Sequence, residues 1–187
     1  PWLLLFLVPA LGMRLWSEER RSGTIELLLT FPVTPWQAIL GKFLASWLFI
    51  AIAMALTFPV WITVNWLGDP DNGVILAGYI GSWLLAGAYL AVSCLTSAIT
   101  RNQVVSFILS VVICLLLVLV GFPPVTDLVA RWAAPWFVEG VAAFSVLTHF
   151  DGFQKGVLDS RDVVFFASLI GFALFVTGVV LRGQRVG

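Results

Sequence analysis

From Trp36 to Leu67 the chain carries one charged residue, Lys42, and from Val74 to Ile99 it carries none. Runs of this length leave few choices. A water-soluble fold would have almost nothing polar to turn toward solvent along them. A helix of about 20 apolar residues, by contrast, crosses the hydrocarbon core of a bilayer with every backbone group bonded internally. The rest of the chain points the same way. Charged residues make up 11% of the sequence, against about 25% in soluble domains. The chain therefore reads as an all-α polytopic membrane protein, a single transmembrane domain over 1–187, embedded in a lipid bilayer. Its net charge of zero argues against a nucleic-acid partner, which would call for a basic surface.

About five transmembrane helices are expected, the first partial. Residues 1–13, PWLLLFLVPALGM, are too short to span and read as the end of a helix whose start lies outside this sequence. No small-residue cleavage site precedes the charges that follow, so a signal peptide is not expected. The span 36–67 has a well-marked start: Thr34 as N-cap, Pro35 at the first helical position and Gln37 completing a capping box. Lys42 lies close enough to that end to snorkel, and Pro59 is expected to kink the far half. The span 74–99 carries Gly78, Gly81, Ser82 and Ala86 among other small residues at three- and four-residue spacing, a pattern that lets helix backbones approach closely in lipid. Spans 104–121 and 163–181 complete the set, the latter followed by a tail, 182–187.

Basic residues orient these spans. With 14–35 on the cytoplasmic side, Arg14, Arg20, Arg21, Lys42, Arg101, Arg182 and Arg185 lie inside, leaving Arg131, Lys155 and Arg161 outside. The positive-inside rule favours that arrangement, and it makes the C-terminus cytoplasmic.

Two pieces then lie outside the hydrocarbon. The cytoplasmic one, 14–35, contains SEERRSGTIELLLTFPVT from Ser17 to Thr34. Ser17 can cap a short helix whose first turn holds Glu18 and Glu19, where the dipole favours negative charge. Arg20 and Arg21 follow, and Gly23 and Thr24 precede an apolar stripe of Ile25, Leu28 and Leu29 with Glu26 off that face. Periodicity alone leaves two readings open: a helix lying on the membrane surface, or one that docks a cytoplasmic partner. The outer piece, 122–162, is expected to form short extracytoplasmic or re-entrant helices. Its aromatics, including Trp132, Trp136, Phe137, Phe150 and Phe153, suit the headgroup region as an aromatic belt or as a gate.

The sequence holds no G-x-x-x-x-G-K-[ST] phosphate cradle. One His and two Cys offer no metal-ligand cluster. Cys94 and Cys114 fall in separate spans as small apolar fillers, and His149 reads as a packed or interfacial residue, since no nucleophile motif surrounds Ser145. Proton-coupled transport lacks the charged residues that such spans usually carry.

The stretch MRLWSEERRSGTIELLLTFPVTPWQAILGKFLASW resembles the membrane subunit of ABC-2 type exporters. Glu19, Gly23, Thr24, Glu26, Leu28, Pro32, Val33, Thr34, Gly41 and Lys42 carry that likeness. THFDGFQKGVLDSRDVVFF, at 148–166, resembles the subgroup related to gliding-motility permeases. The resemblance implies a permease of the bacterial inner membrane with six spans, so the shorter set here fits an N-terminal truncation. It implies a separate ABC ATPase subunit that binds ATP and Mg, with no cofactor in this chain, and a second permease copy or homologue. Residues Glu18, Glu19, Arg20, Arg21, Gly23, Thr24, Ile25 and Glu26 would form the coupling segment that docks the ATPase. Trp132, Trp136, Phe137, Phe150 and Phe153 would cap the exit path. The competing expectation is a membrane-embedded scaffold that anchors an ATPase for mechanical or assembly work without moving solute.

Overall fold

The computed structural model describes residues 2–13, 35–69, 71–100, 102–120, 123–132, 134–143, 149–151, 153, 155–156 and 160–185. Among them all regular structure is helical. The helices are α1 (Trp2–Gly12), α2 (Pro35–Ala55), α3 (Phe58–Leu67), α4 (Asn72–Ile99), α5 (Gln103–Leu119), α6 (Pro123–Ala130), α7 (Pro135–Ala143) and α8 (Ser160–Arg185). Three stretches are long and apolar enough to cross a membrane: Trp36–Leu67, Asn72–Ile99 and Ser160–Leu181. Helix α5, with 17 residues, becomes a fourth when taken with α6, which is inclined to it by 68°.

Residues Trp36–Leu67 are two helices in tandem, and Pro59 explains the break. Proline has no N–H for the carbonyl four residues back, and its ring collides with that carbonyl. The carbonyl belongs to Ala55, where α2 ends. A tight turn follows, with Thr57 N–H donating to Met54 O at 3.1 Å and Val60 N–H to Thr57 O at 3.0 Å, and α3 restarts with Pro59 in its first turn.

Helix α4 is the centre of the fold. It packs against α1, α2, α5 and α8, and from Leu85 to Cys94 every residue is buried. Half of its apolar window is inside the protein, against 11% for Trp36–Leu67, so α2 and α3 leave most of their surface uncovered by the rest of the chain. Asp71 caps α4 through its carboxylate on Gly73 N–H at 2.9 Å, and Asn72 begins the helix. Helix α5 is held by one narrow stripe, Ser106, Ser110, Cys114 and Val118, spaced four apart. Against it sits Thr96 of α4, whose hydroxyl bonds those of Ser106 and Ser110. Small hydroxyl residues of this kind are the usual adhesive between helices in lipid, where apolar contact alone distinguishes poorly between a protein neighbour and an acyl chain. Cys94 and Cys114 are both fully buried and not joined in a disulfide.

Candidate functional site

Residues Glu18, Glu19, Arg20, Arg21, Gly23, Thr24, Ile25 and Glu26, and with them Ser17 and Thr34, lie outside the described residues. What the structure does give is the seating of both flanks. On the N-terminal side, Gly12 at the end of α1 lies directly on Ser93 of α4, where any side-chain carbon would collide with the Ser93 Cβ. One residue on, Met13 O accepts a hydrogen bond from Ser97 Oγ at 3.1 Å. On the C-terminal side, the six-membered ring of Trp36, in the first turn of α2, abuts Gly178 of α8 and stacks on Phe175, ring centroids 5.9 Å apart. The chain therefore leaves the bundle from a point bolted to α4 and returns at a point bolted to α8. Those two helices are in turn packed against one another.

About three turns further along, α2 is locked to α4 by a reciprocal pair of tryptophans. Trp47 Nε1–H donates to Trp83 O at 2.9 Å, Trp83 Nε1–H donates to Trp47 O at 3.1 Å, and the two rings stack with centroids 4.1 Å apart. Gly87 makes room for this pair, since a Cβ there would come within 2.7 Å of the Trp47 indole. Sequence reasoning passed over Gly12, Gly178 and the Trp47–Trp83 clasp. Their signal was faint: a glycine near a span end and aromatics facing it on another span.

The small-residue stripe of α4 has more than one neighbour. Ala86 is fully buried in the helix core. Gly81 is covered by Phe153, whose Cβ occupies the place a side chain at position 81 would take. Around Gly78 there is open space for a Cβ. Gly78 and Ser82 line a groove with Met54, Ile75, Tyr79 and Phe150.

The aromatics of 122–162 divide into two groups. Trp132, Trp136 and Phe137 are exposed, at 87%, 76% and 47%, on or beside the pair α6–α7. Phe150 and Phe153 are buried, at 3% and 0%, and hold the segment around them against α4 and α8. That segment is fastened further by His149, whose Nδ1 meets the Asp162 carboxylate at 2.7 Å while its ring stacks on Phe165, centroids 3.9 Å apart. The turn that follows passes through Gly156 at φ +81, the left-handed region that glycine enters without steric cost.

Among the described residues no group of His, Cys, Asp or Glu is arranged to hold a metal ion. The buried polar side chains there are hydroxyls: Ser93, Thr96, Ser97, Ser106, Ser110 and Thr177, with the Tyr89 hydroxyl, which has no partner. Such an interior can bind helices together and let them shift against one another. It offers no nucleophile–base pair.

Residues 1–139 match the family described as ABC-2 family transporter protein. No curated protein matches the chain.

Proposed function

Because the chain belongs to the ABC-2 family of transporter proteins, we propose that this multi-pass permease component of an ABC transporter works as the membrane half of an ATP-driven exporter. Membership implies pairing with an ABC ATPase subunit, and the chain itself has no phosphate-binding loop. ATP and Mg are held by that partner. Segment 14–35 docks on it from the cytoplasmic side of the bacterial inner membrane, and the C-terminal tail lies on the same side. A second permease copy or homologue completes the path. Alternating access at the interface between the two halves moves an amphipathic or lipid-linked cargo outward.

The observation that carries this reading is the seating of the two flanks of 14–34. A segment that receives a push is useful only if its ends are tied to the parts that must move. Here one end is tied to α4 through Gly12 and Met13 and the other to α8 through Trp36. Glu18, Glu19, Arg20 and Arg21 supply charges of both signs for register on the ATPase.

Reversing Glu18 and Glu19 to Lys is the direct test. Complementary charges across a docking surface are worth a few kcal/mol when inverted. The double variant should therefore accumulate in the membrane at the normal level and unfold at the normal temperature, yet lose most of its co-purifying ATPase. Recovery of the ATPase at wild-type yield would sink the docking role. Direction is tested separately by ATP-dependent uptake of cargo into inside-out vesicles.

A further inference from the structure

The break between α2 and α3 leaves a slot. Below it the tryptophan clasp holds α2 tightly on α4; above it Trp61 of α3 stacks on Tyr79 of α4, centroids 5.9 Å apart, and donates from Nε1 to Asn72 Oδ1 at 2.9 Å. Between these two points of contact the facing side chains of α2 include Ala51 and Ala55, too small to close the gap. The result is a pocket of about 370 Å³ walled by Met54, Phe58, Trp61, Tyr79 and Trp83. That volume is within the range of small-molecule sites, about 300–1,000 Å³. Along α2 and α3 the wall runs from Ala51 to Trp61, about 15 Å at 1.5 Å per residue, close to half the ~30 Å hydrocarbon core. The slot is one leaflet deep.

Its polar chemistry is narrow. Both indole N–H groups in the wall are committed, Trp61 to Asn72 and Trp83 to Trp47 O. Thr57 Oγ1 gives its single hydrogen to Met54 O, so in the 2.7 Å contact between Thr57 Oγ1 and Tyr79 Oη the tyrosine is the donor. Having donated, the Tyr79 oxygen keeps acceptor lone pairs. A head that donates is therefore favoured over one that only accepts. The open end of the slot adds a charge criterion. Asp69 and Asp71 are exposed there, and Lys155, next to the Gly156 that packs on Val74, is paired with Asp151 at 3.0 Å, so the uncompensated charge at this end is negative and disfavours an anionic head.

We propose that this slot between α3 and α4 binds one alkyl chain of a bilayer amphiphile whose head donates hydrogen bonds and bears no net negative charge. The site is lateral, on a single permease chain, and does not depend on the direction of transport or on the ATPase contact.

The experiment uses the permease in its native complex, reconstituted in nanodiscs. The probes are phosphatidylethanolamine and phosphatidylglycerol carrying the same diazirine-bearing acyl chain, with sites of attachment read by mass spectrometry. The ethanolamine lipid should label residues 51–61 and 79–83 at least fivefold more than the glycerol lipid does. Ala55→Trp, which fills the slot from the α2 side, should abolish that labelling while leaving attachment to the outer face of α5 at Ile108 unchanged. Tyr79→Phe, which keeps the ring and removes only the acceptor, should lower it about fivefold, the equivalent of one hydrogen bond of about 1 kcal/mol, and stands as the test on its own if Ala55→Trp fails to fold. Equal labelling by the two lipids would overturn the proposal. So would labelling spread evenly over α2, α3 and α5, or permease-to-permease crosslinks through the slot, which would make it an interface between copies.

Discussion

The Trp47–Trp83 clasp can be taken apart one bond at a time. Each indole donates to the other residue's backbone carbonyl, so Trp47→Phe removes one donor while keeping an aromatic ring in the stack. No buried polar atom is orphaned, because Trp83 O still accepts within its own helix. The expected cost is that of an interhelical hydrogen bond in a membrane, about 0.6–1.7 kcal/mol. Trp47→Ala is different in kind. It opens a void beside Gly87, and large aromatic-to-alanine changes cost about 3–5 kcal/mol. Transfer to lipid is not a loss for a side chain as apolar as its solvent, and Trp47 is only partly buried, so the lower end of that range applies. The clasp geometry makes a sharper statement about the pair. Both bonds need the same ring stack at 4.1 Å, so loosening one misaligns the other. In a double-mutant cycle, Trp47→Phe and Trp83→Phe should couple by at least about 0.5 kcal/mol, as residues in contact do. The measurement is unfolding by sodium dodecyl sulfate in mixed micelles, followed by far-ultraviolet circular dichroism. Additivity within about 0.3 kcal/mol would refute the reasoning, since the two tryptophans would then be independent contacts that happen to be adjacent.

Two further outcomes are expected. Gly81→Leu must expel Phe153 from its seat and should lower stability by about 2 kcal/mol or more, in the range of overpacking, whereas Gly78→Leu projects into open space and should change it by less than about 0.5 kcal/mol; equal effects would mean that the stripe packs uniformly. For topology, in a Cys94→Ala/Cys114→Ala background, Ser17→Cys and Gln184→Cys should resist an impermeant thiol reagent on intact cells while Asp69→Cys and Ser160→Cys react. Labelling of Ser17→Cys from outside would place the charged block away from any cytoplasmic ATPase.

The membrane character of the chain was legible because it rests on what is missing: no charge from Val74 to Ile99 cannot be reconciled with water. The faces of the helices were not legible from polarity. In a soluble protein the buried face is the apolar one, but here lipid and core are equally apolar, and the helices are hydrophobic all round. What remains to mark a buried face is size and hydrogen bonding. Ser106, Ser110 and Cys114 at four-residue spacing mark the inner face of α5, and the sequence could have shown it. Small residues are a weaker guide. Gly78 and Gly81 look alike in the sequence, yet Phe153, which covers one of them, comes from far along the chain and no local pattern announces it. The break at 56–57 had one signal, Pro59; hydropathy runs through it without change, because α2 and α3 are both soluble in the same hydrocarbon.

That break also bears on how a push at 14–35 would travel, on the exporter reading. Helix α2 is seated on α8 at Trp36, in its first turn, and is clasped to α4 at Trp47, so its first half moves with the core. Around Thr57 the hydrogen-bond ladder is interrupted, and α3 has no buried residue; it and its N-cap Thr57 touch α4 through Trp61 on Tyr79 and Asn72 and through Thr57 on Tyr79. Displacement of the cytoplasmic end is therefore carried along α2 as far as the clasp and is not forced on α3. The lipid-filled slot sits at this transition, where its occupancy would set how far α3 stands off from α4. The stiff half of the tandem transmits and the exposed half follows the bilayer.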